Sequence, residues 1–183
     1  MQNNKPKIYV TPLSLVVFAI LILLMPMKWL AAWIIAVSIH ELSHCLALNI
    51  WNLKIDSIYV DACGAKILTS PLTNAQTVIC ALAGPAGGLL LLSFIKFYPQ
   101  LALCAIIQSF YNLLPIYPLD GGRILYGITH IFFSQKAADC ICKTVAATVI
   151  MLLLILIAAV AILINSFVPL LIPVILFLQL WRK

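Results

Sequence analysis

His40-Glu41-Leu42-Ser43-His44 places two imidazoles four residues apart, with a carboxylate directly after the first. On a helix, positions i and i+4 lie one turn apart on the same face, so His40 and His44 can converge on one metal ion. In this pattern Glu41 is not a ligand but the general base that takes a proton from metal-activated water. Glu41 is the only glutamate in the chain, and His40 and His44 are two of its three histidines. The flanking residues are apolar, and desolvating three ionisable groups on one turn is costly. A divalent cation offsets that cost more simply than hydrogen bonds to a neighbouring helix would.

A catalytic zinc takes three protein ligands and keeps a fourth position open, so one ligand remains to be found. The candidate is Asp120, in Asn112-Leu113-Leu114-Pro115-Ile116-Tyr117-Pro118-Leu119-Asp120-Gly121-Gly122-Arg123. Asp56, Asp61 and Asp139 fall in polar segments, whereas Asp120 ends an apolar run. Pro115 and Pro118 disfavour helix just before it, and unwound backbone at membrane depth persists only where it lines a protein or water-filled cavity. Gly121 and Gly122 let the chain turn tightly there. Asp120 also suits the N-cap of a helix starting at Gly121, a role compatible with metal binding. Asn112, on the same apolar run, can donate to a substrate carbonyl or an oxyanion, or can bond another helix. Gly84 and Gly88 have the spacing of closely packed membrane helices. His130 receives no role, and Cys140-x-Cys142 is too sparse for a metal site.

The elements that carry these residues are set by composition. Of 183 residues 64% are hydrophobic and 9% charged, and mean hydropathy is +1.15. Val145 to Ile164 is twenty residues without a charge, enough to cross a hydrocarbon core of about 30 Å. We expect an all-α polytopic membrane protein, a single domain over 1–183, with about six spans. They run Leu13 to Met27, Trp29 to Ile50, Ala75 to Ile95, Leu101 to Leu119, Val145 to Ile164 and Val168 to Leu180. Between the second and third, Ile55 to Val60 and Ala65 to Leu68 flank a Cys63-Gly64 turn and read as a short membrane-associated β-hairpin. With both termini cytoplasmic, nine of the eleven basic residues lie inside and only Lys28 and Lys96 outside. Spans two and four then run in the same direction, so His44 and Asp120 can share a depth. The first span is expected to be retained, since Pro26 to Trp29 offers no good signal-peptidase site. Six cysteines, mostly in spans or on the cytoplasmic side, read as reduced thiols. The charge of +6 is scattered singly along the chain, which argues against nucleic acid as a partner.

His40-Glu41-Leu42-Ser43-His44, Asn112 and Pro118-Leu119-Asp120-Gly121-Gly122, together with the hairpin and Ala83-Gly84-Pro85, resemble the site-2 protease family of intramembrane zinc metalloproteases. Asn112 to Leu125 resembles the branch of stage IV sporulation protein FB in particular. The resemblance implies one zinc ion at His40, His44 and Asp120, with Glu41 as base. It also implies cleavage of membrane-spanning or membrane-tethered proteins in the lipid bilayer, in that branch a sigma-factor precursor, and a membrane-protein regulator is compatible with it. The sequence departs from the pattern in having no room for a CBS domain or a PDZ-like insertion, and in carrying Gly88 where many relatives have a polar residue. The rival class is a metal transporter or sensor. It predicts a continuous line of polar ligands through the bilayer, whereas the ligands here form one cluster at one depth.

Overall fold

The computed structural model describes residues 7–53, 55–61 and 64–163. The fold is mostly helical with one small sheet. The chain divides into two units, Met1–Phe110 and Tyr111–Lys183.

In the first unit, β1 (Lys7–Val10) leads into α1 (Pro12–Leu24) and α2 (Met27–Ile50). The Thr11 side chain accepts from the Ser14 amide and Pro12 occupies the first helical turn, both ordinary helix-start devices. Pro26 disfavours helix at Met25 and separates the two helices. The first expected span is therefore a helix of 13 residues, about 20 Å long, well short of a bilayer core. α2 has 24 residues. It ends where Asn52 takes a left-handed conformation (φ 52°). The Asn52 amide then donates to the Asn49 carbonyl at 2.9 Å and the Leu53 amide to the Leu48 carbonyl at 3.2 Å, the paired bonds of a Schellman cap.

That cap turns the chain into β2 (Ile55–Asp61) and β3 (Gly64–Thr69), which pair antiparallel as the expected hairpin. β1 adds to β2 in parallel, and the Tyr9 and Tyr59 rings stack with centroids 4.8 Å apart. Among the described residues, β3 has no strand on its outer side.

α3 (Asn74–Leu90) starts on a Thr73/Gln76 capping box and continues into a 3-10 turn at Leu91–Phe94. Pro85 lies inside it. α4 (Pro99–Asn112) returns beside it, and the buried Ser109 hydroxyl donates to the Pro85 carbonyl at 3.3 Å. The core joins Ala32 and Ala36 of α2 to Leu91, Cys104 and Ala105, and Ala47 and Leu48 of α2 to Cys80 of α3. Small residues along these faces let the helices approach closely.

In the second unit, helix stops at Asn112 and residues 113–119 are irregular, as the two prolines require. The Tyr117–Pro118 peptide is cis. α5 (Asp120–Phe132) and α6 (Gln135–Leu163) follow, with α6 beginning ten residues before the expected Val145 and taking Cys140 and Cys142 into the helix. Ile116 and Leu119 pack on Ile150 of α6, with Tyr111, Leu114, Val149 and Leu153 around them. Leu152, Ile155 and Leu156 are exposed on α6, which suits contact with lipid.

Three helical stretches among the described residues are long and apolar enough to cross a membrane: Met27–Ile50, Asn74–Phe94 and Gln135–Leu163. Of the six expected spans, the first and fourth are shorter helices of 13 and 14 residues. The sixth, Val168 to Leu180, lies outside the described residues.

Candidate metal centre

The two histidines stand on α2 at positions whose spacing keeps them on one buried stripe with Ala36 and Ala47. His40 is 2% exposed and His44 7%. Their Nε2 atoms are 3.2 Å apart, and the rings meet at 82° with centroids separated by 4.8 Å. Two imidazoles on a tetrahedral zinc, with Zn–N of about 2.0–2.1 Å, place their nitrogens about 3.3 Å apart. The pair already has that spacing.

The second nitrogen of His44 makes this arrangement chemically specific. His44 Nδ1 lies 2.7 Å from the Cys80 carbonyl oxygen on α3. A carbonyl only accepts, so the proton sits on Nδ1 and the Nε2 lone pair points toward His40 Nε2. A metal-binding histidine is usually held in this way. On the α3 side the nearest residue is Gly84: a Cβ there would overlap the His44 ring and lie 2.7 Å from His40 Nε2. Sequence reasoning assigned Gly84 to helix packing and gave Cys80 no part. The available signal was a glycine followed by a proline within an apolar helix, four residues beyond Cys80, but only the fold shows which side chains face it.

Glu41 is half-buried one residue beyond His40, about 100° around α2, at the flank of the imidazole stripe. The structure thus brings His40 and His44 together and sets Glu41 on the same turn.

The remaining site residues belong to the second unit. Asn112 is the last residue of α4 and is partly buried. Asp120 is 6% exposed and is the first residue of α5. Leu119 holds the cap position with no side-chain cap bond, so Asp120 is not the N-cap that its sequence position allowed. The positive end of the α5 dipole faces its carboxylate, and Arg123 Nη1 lies 4.0 Å from Oδ1. Gly121 and Gly122 permit close approach, as expected, and the neighbour is the protein's own backbone. A Cβ on Gly121 would strike the Leu113 and Leu114 carbonyls, and one on Gly122 the backbone of Ile116 and Tyr117.

His130 packs against Tyr126, with ring centroids 3.8 Å apart, and its Nε2 is 3.4 Å from Asp139 Oδ1 across the α5–α6 corner.

Comparison with known proteins places the chain in a family. The chain is 28% identical over 152 residues to a zinc metalloprotease of Methanocaldococcus jannaschii, an alignment that covers 73% of this chain and 45% of the relative. The chain therefore spans about half the length of that curated protein. The solved site-2 protease from Methanocaldococcus jannaschii superposes with a TM-score of 0.68 at 18% identity, covering 96% of this chain and 89% of the other, and so shares its fold. Residues 65–157, a stretch that includes Asn112 and Asp120, match the profile described as Peptidase family M50. With half of its length inside that profile, the chain belongs to peptidase family M50.

Proposed function

We propose that this protein is an intramembrane zinc metalloprotease that hydrolyses peptide bonds of membrane-spanning or membrane-tethered proteins, with residues 1–183 acting as one domain. The observation that carries this reading is the pair of buried Nε2 atoms 3.2 Å apart, with the far nitrogen of His44 held by a carbonyl. Asp120, itself buried, would supply the third ligand with His40 and His44, an N2O donor set suited to zinc. Zinc held there would supply Lewis acidity, to polarise a scissile carbonyl and to bring the pKa of water toward about 7.

The chain's own residues do the rest. Glu41 accepts the proton of the attacking water and returns it to the departing amine. Asn112 donates to the substrate carbonyl, whose oxygen gains charge during attack. The surrounding apolar helices exclude bulk water, which strengthens each of these interactions. A substrate helix hides its carbonyls in its own hydrogen bonds and must unwind locally before attack. The outer edge of β3 offers main-chain partners for the resulting extended segment. The distribution of Lys and Arg favours a multi-pass protein of the cell membrane with cytoplasmic termini. The resemblance of Asn112 to Leu125 to stage IV sporulation protein FB makes a membrane-tethered sigma-factor precursor the first substrate to try, together with a membrane-protein regulator.

The test is cleavage of co-reconstituted membrane-tethered precursors by the purified chain, with metal content measured on the same samples. Glu41→Gln should retain zinc while turnover falls about 10²- to 10⁴-fold, the usual contribution of a positioned base. His40→Ala should lose the metal. Unreduced turnover in Glu41→Gln would refute the assignment.

A further inference from the structure

We propose that the α3 turn from Cys80 to Gly84 is the positioning element for the two histidine ligands. In this assignment the Cys80 carbonyl fixes the tautomer of His44, and the bare Cα of Gly84 limits how the two imidazoles converge. It deepens the zinc-protease reading above and rests on it.

Cys80 and Gly84 are four residues apart, so one turn of α3 presents both to the same face of α2. Neutral imidazole has two tautomers, and only the one protonated at Nδ1 can donate to the Cys80 oxygen at 2.7 Å. That tautomer leaves the Nε2 lone pair of His44 directed toward His40. The carbonyl itself is held firmly: Cys80 is 3% exposed and sits in a core cluster with Ala47 and Leu48, one turn beyond His44 on α2.

Gly84 acts by what it lacks. A Cβ at this position would overlap the His44 imidazole around Nε2 and approach His40 Nε2 to 2.7 Å, the two atoms that must face a shared ion. Gly88, one turn further along the same helix, differs in kind. A Cβ there would come within 2.5 Å only of the Ser109 hydroxyl, which can rotate away, and the next atoms are 3.7 and 3.9 Å distant. Gly88 therefore serves helix packing, whereas Gly84 sets the ligand geometry.

The experiment uses the full chain in detergent micelles, stripped of metal. Zinc affinity is measured by competition with a chromophoric chelator for the unsubstituted chain, Gly84→Ala and Gly88→Ala. Nitrogen-15 NMR of the metal-free, histidine-labelled chain reads the tautomer, and His44→Gln identifies the His44 signals. Gly84→Ala should bind zinc about 100-fold more weakly, the upper range for disturbing groups that orient a ligand, whereas Gly88→Ala should bind as the unsubstituted chain does. His44 should show a protonated Nδ1 and an unprotonated Nε2.

An Nε2-protonated His44, or unsubstituted and Gly84→Ala chains that bind zinc equally tightly, would overturn this proposal alone. An unsubstituted chain that takes up no stoichiometric zinc would overturn the zinc-protease reading together with it. The tautomer is read without any substitution at Gly84, so the proposal stays testable even where Gly84→Ala fails to fold.

Discussion

Gly121→Ala tests whether backbone contact around α5 places Asp120. A Cβ on Gly121 would lie 2.6 Å from the Leu114 carbonyl oxygen, and nearer still to that of Leu113, where ordinary van der Waals contact begins at 3.4 Å. The difference, 3.4 − 2.6, requires the α5 start and the 113–114 backbone to separate by at least about 0.8 Å. Neither side yields easily. The Leu114 amide bonds the Tyr111 carbonyl at 3.2 Å, and the neighbouring Ile116 is buried against Leu119 and Ile150. Overpacking of this kind costs about 1–3 kcal/mol.

Helix propensity alone gives the opposite sign, since alanine for glycine inside a helix gains up to about 1 kcal/mol. The balance predicts a net loss of up to about 2 kcal/mol of stability. Asp120 precedes the clash by one residue and moves with it. A displacement near 1 Å at a reacting centre lowers turnover by about 10²-fold. Thermal unfolding in micelles, zinc content and cleavage of a reconstituted precursor measure the three consequences. A Gly121→Ala chain that melts higher than the parent and cleaves at the same rate would refute the reasoning, because the glycine would then be mere slack in the helix.

Two further substitutions probe the supports on either side of the chemistry. Ile116→Ala empties the centre of the cluster formed with Leu119 and Ile150, and should lower stability by about 2–4 kcal/mol in a thermal or denaturant melt. A loss below about 1 kcal/mol would show that the irregular segment collapses freely. Proline placed singly at Ile67 and at Leu68 removes adjacent backbone donors that point to opposite edges of β3. One of the two should reduce cleavage while zinc content and the melting temperature hold. If neither does, strand addition at this edge is excluded.

Local chemistry made much of this legible. His40 and His44 had to share a face once α2 was read as helix, because their spacing is that of one turn. Pro115 and Pro118 cannot continue a helix, and the break after Asn112 follows directly. The hairpin showed in its β-branched and aromatic residues. What stayed hidden depends on parts of the chain far apart in sequence. β1 is four residues long and pairs in parallel with residues 50 positions away, so no local pattern announces it. Hydropathy located α1 and α4 but overestimated their lengths. It counts apolar residues, whereas Pro26 and the 113–119 segment end the helices. The Cys80 carbonyl is invisible to any reading of side-chain types, since a backbone acceptor belongs to every residue.

The metal-handling alternatives differ in what they require of the ligands. A transporter must exchange its ion between successive sites, so its ligands gain from loose, adjustable geometry and from further polar groups along the path. The imidazole pair here is constrained on the side that faces α3. Its spacing is already that of a tetrahedral ion, one far nitrogen is tied to a buried carbonyl at 2.7 Å, and a single glycine leaves no slack against the rings. Such preorganisation favours an ion that stays in place and a reaction that comes to it, because little reorganisation is then left for the moment of attack. Glu41 points the same way. A general base beside a ligand, the role proposed for Glu41, would give no advantage to a protein that only passes metal along, so loss of zinc-dependent cleavage in Glu41→Gln, with the metal still bound, would separate a resident cofactor from a cargo.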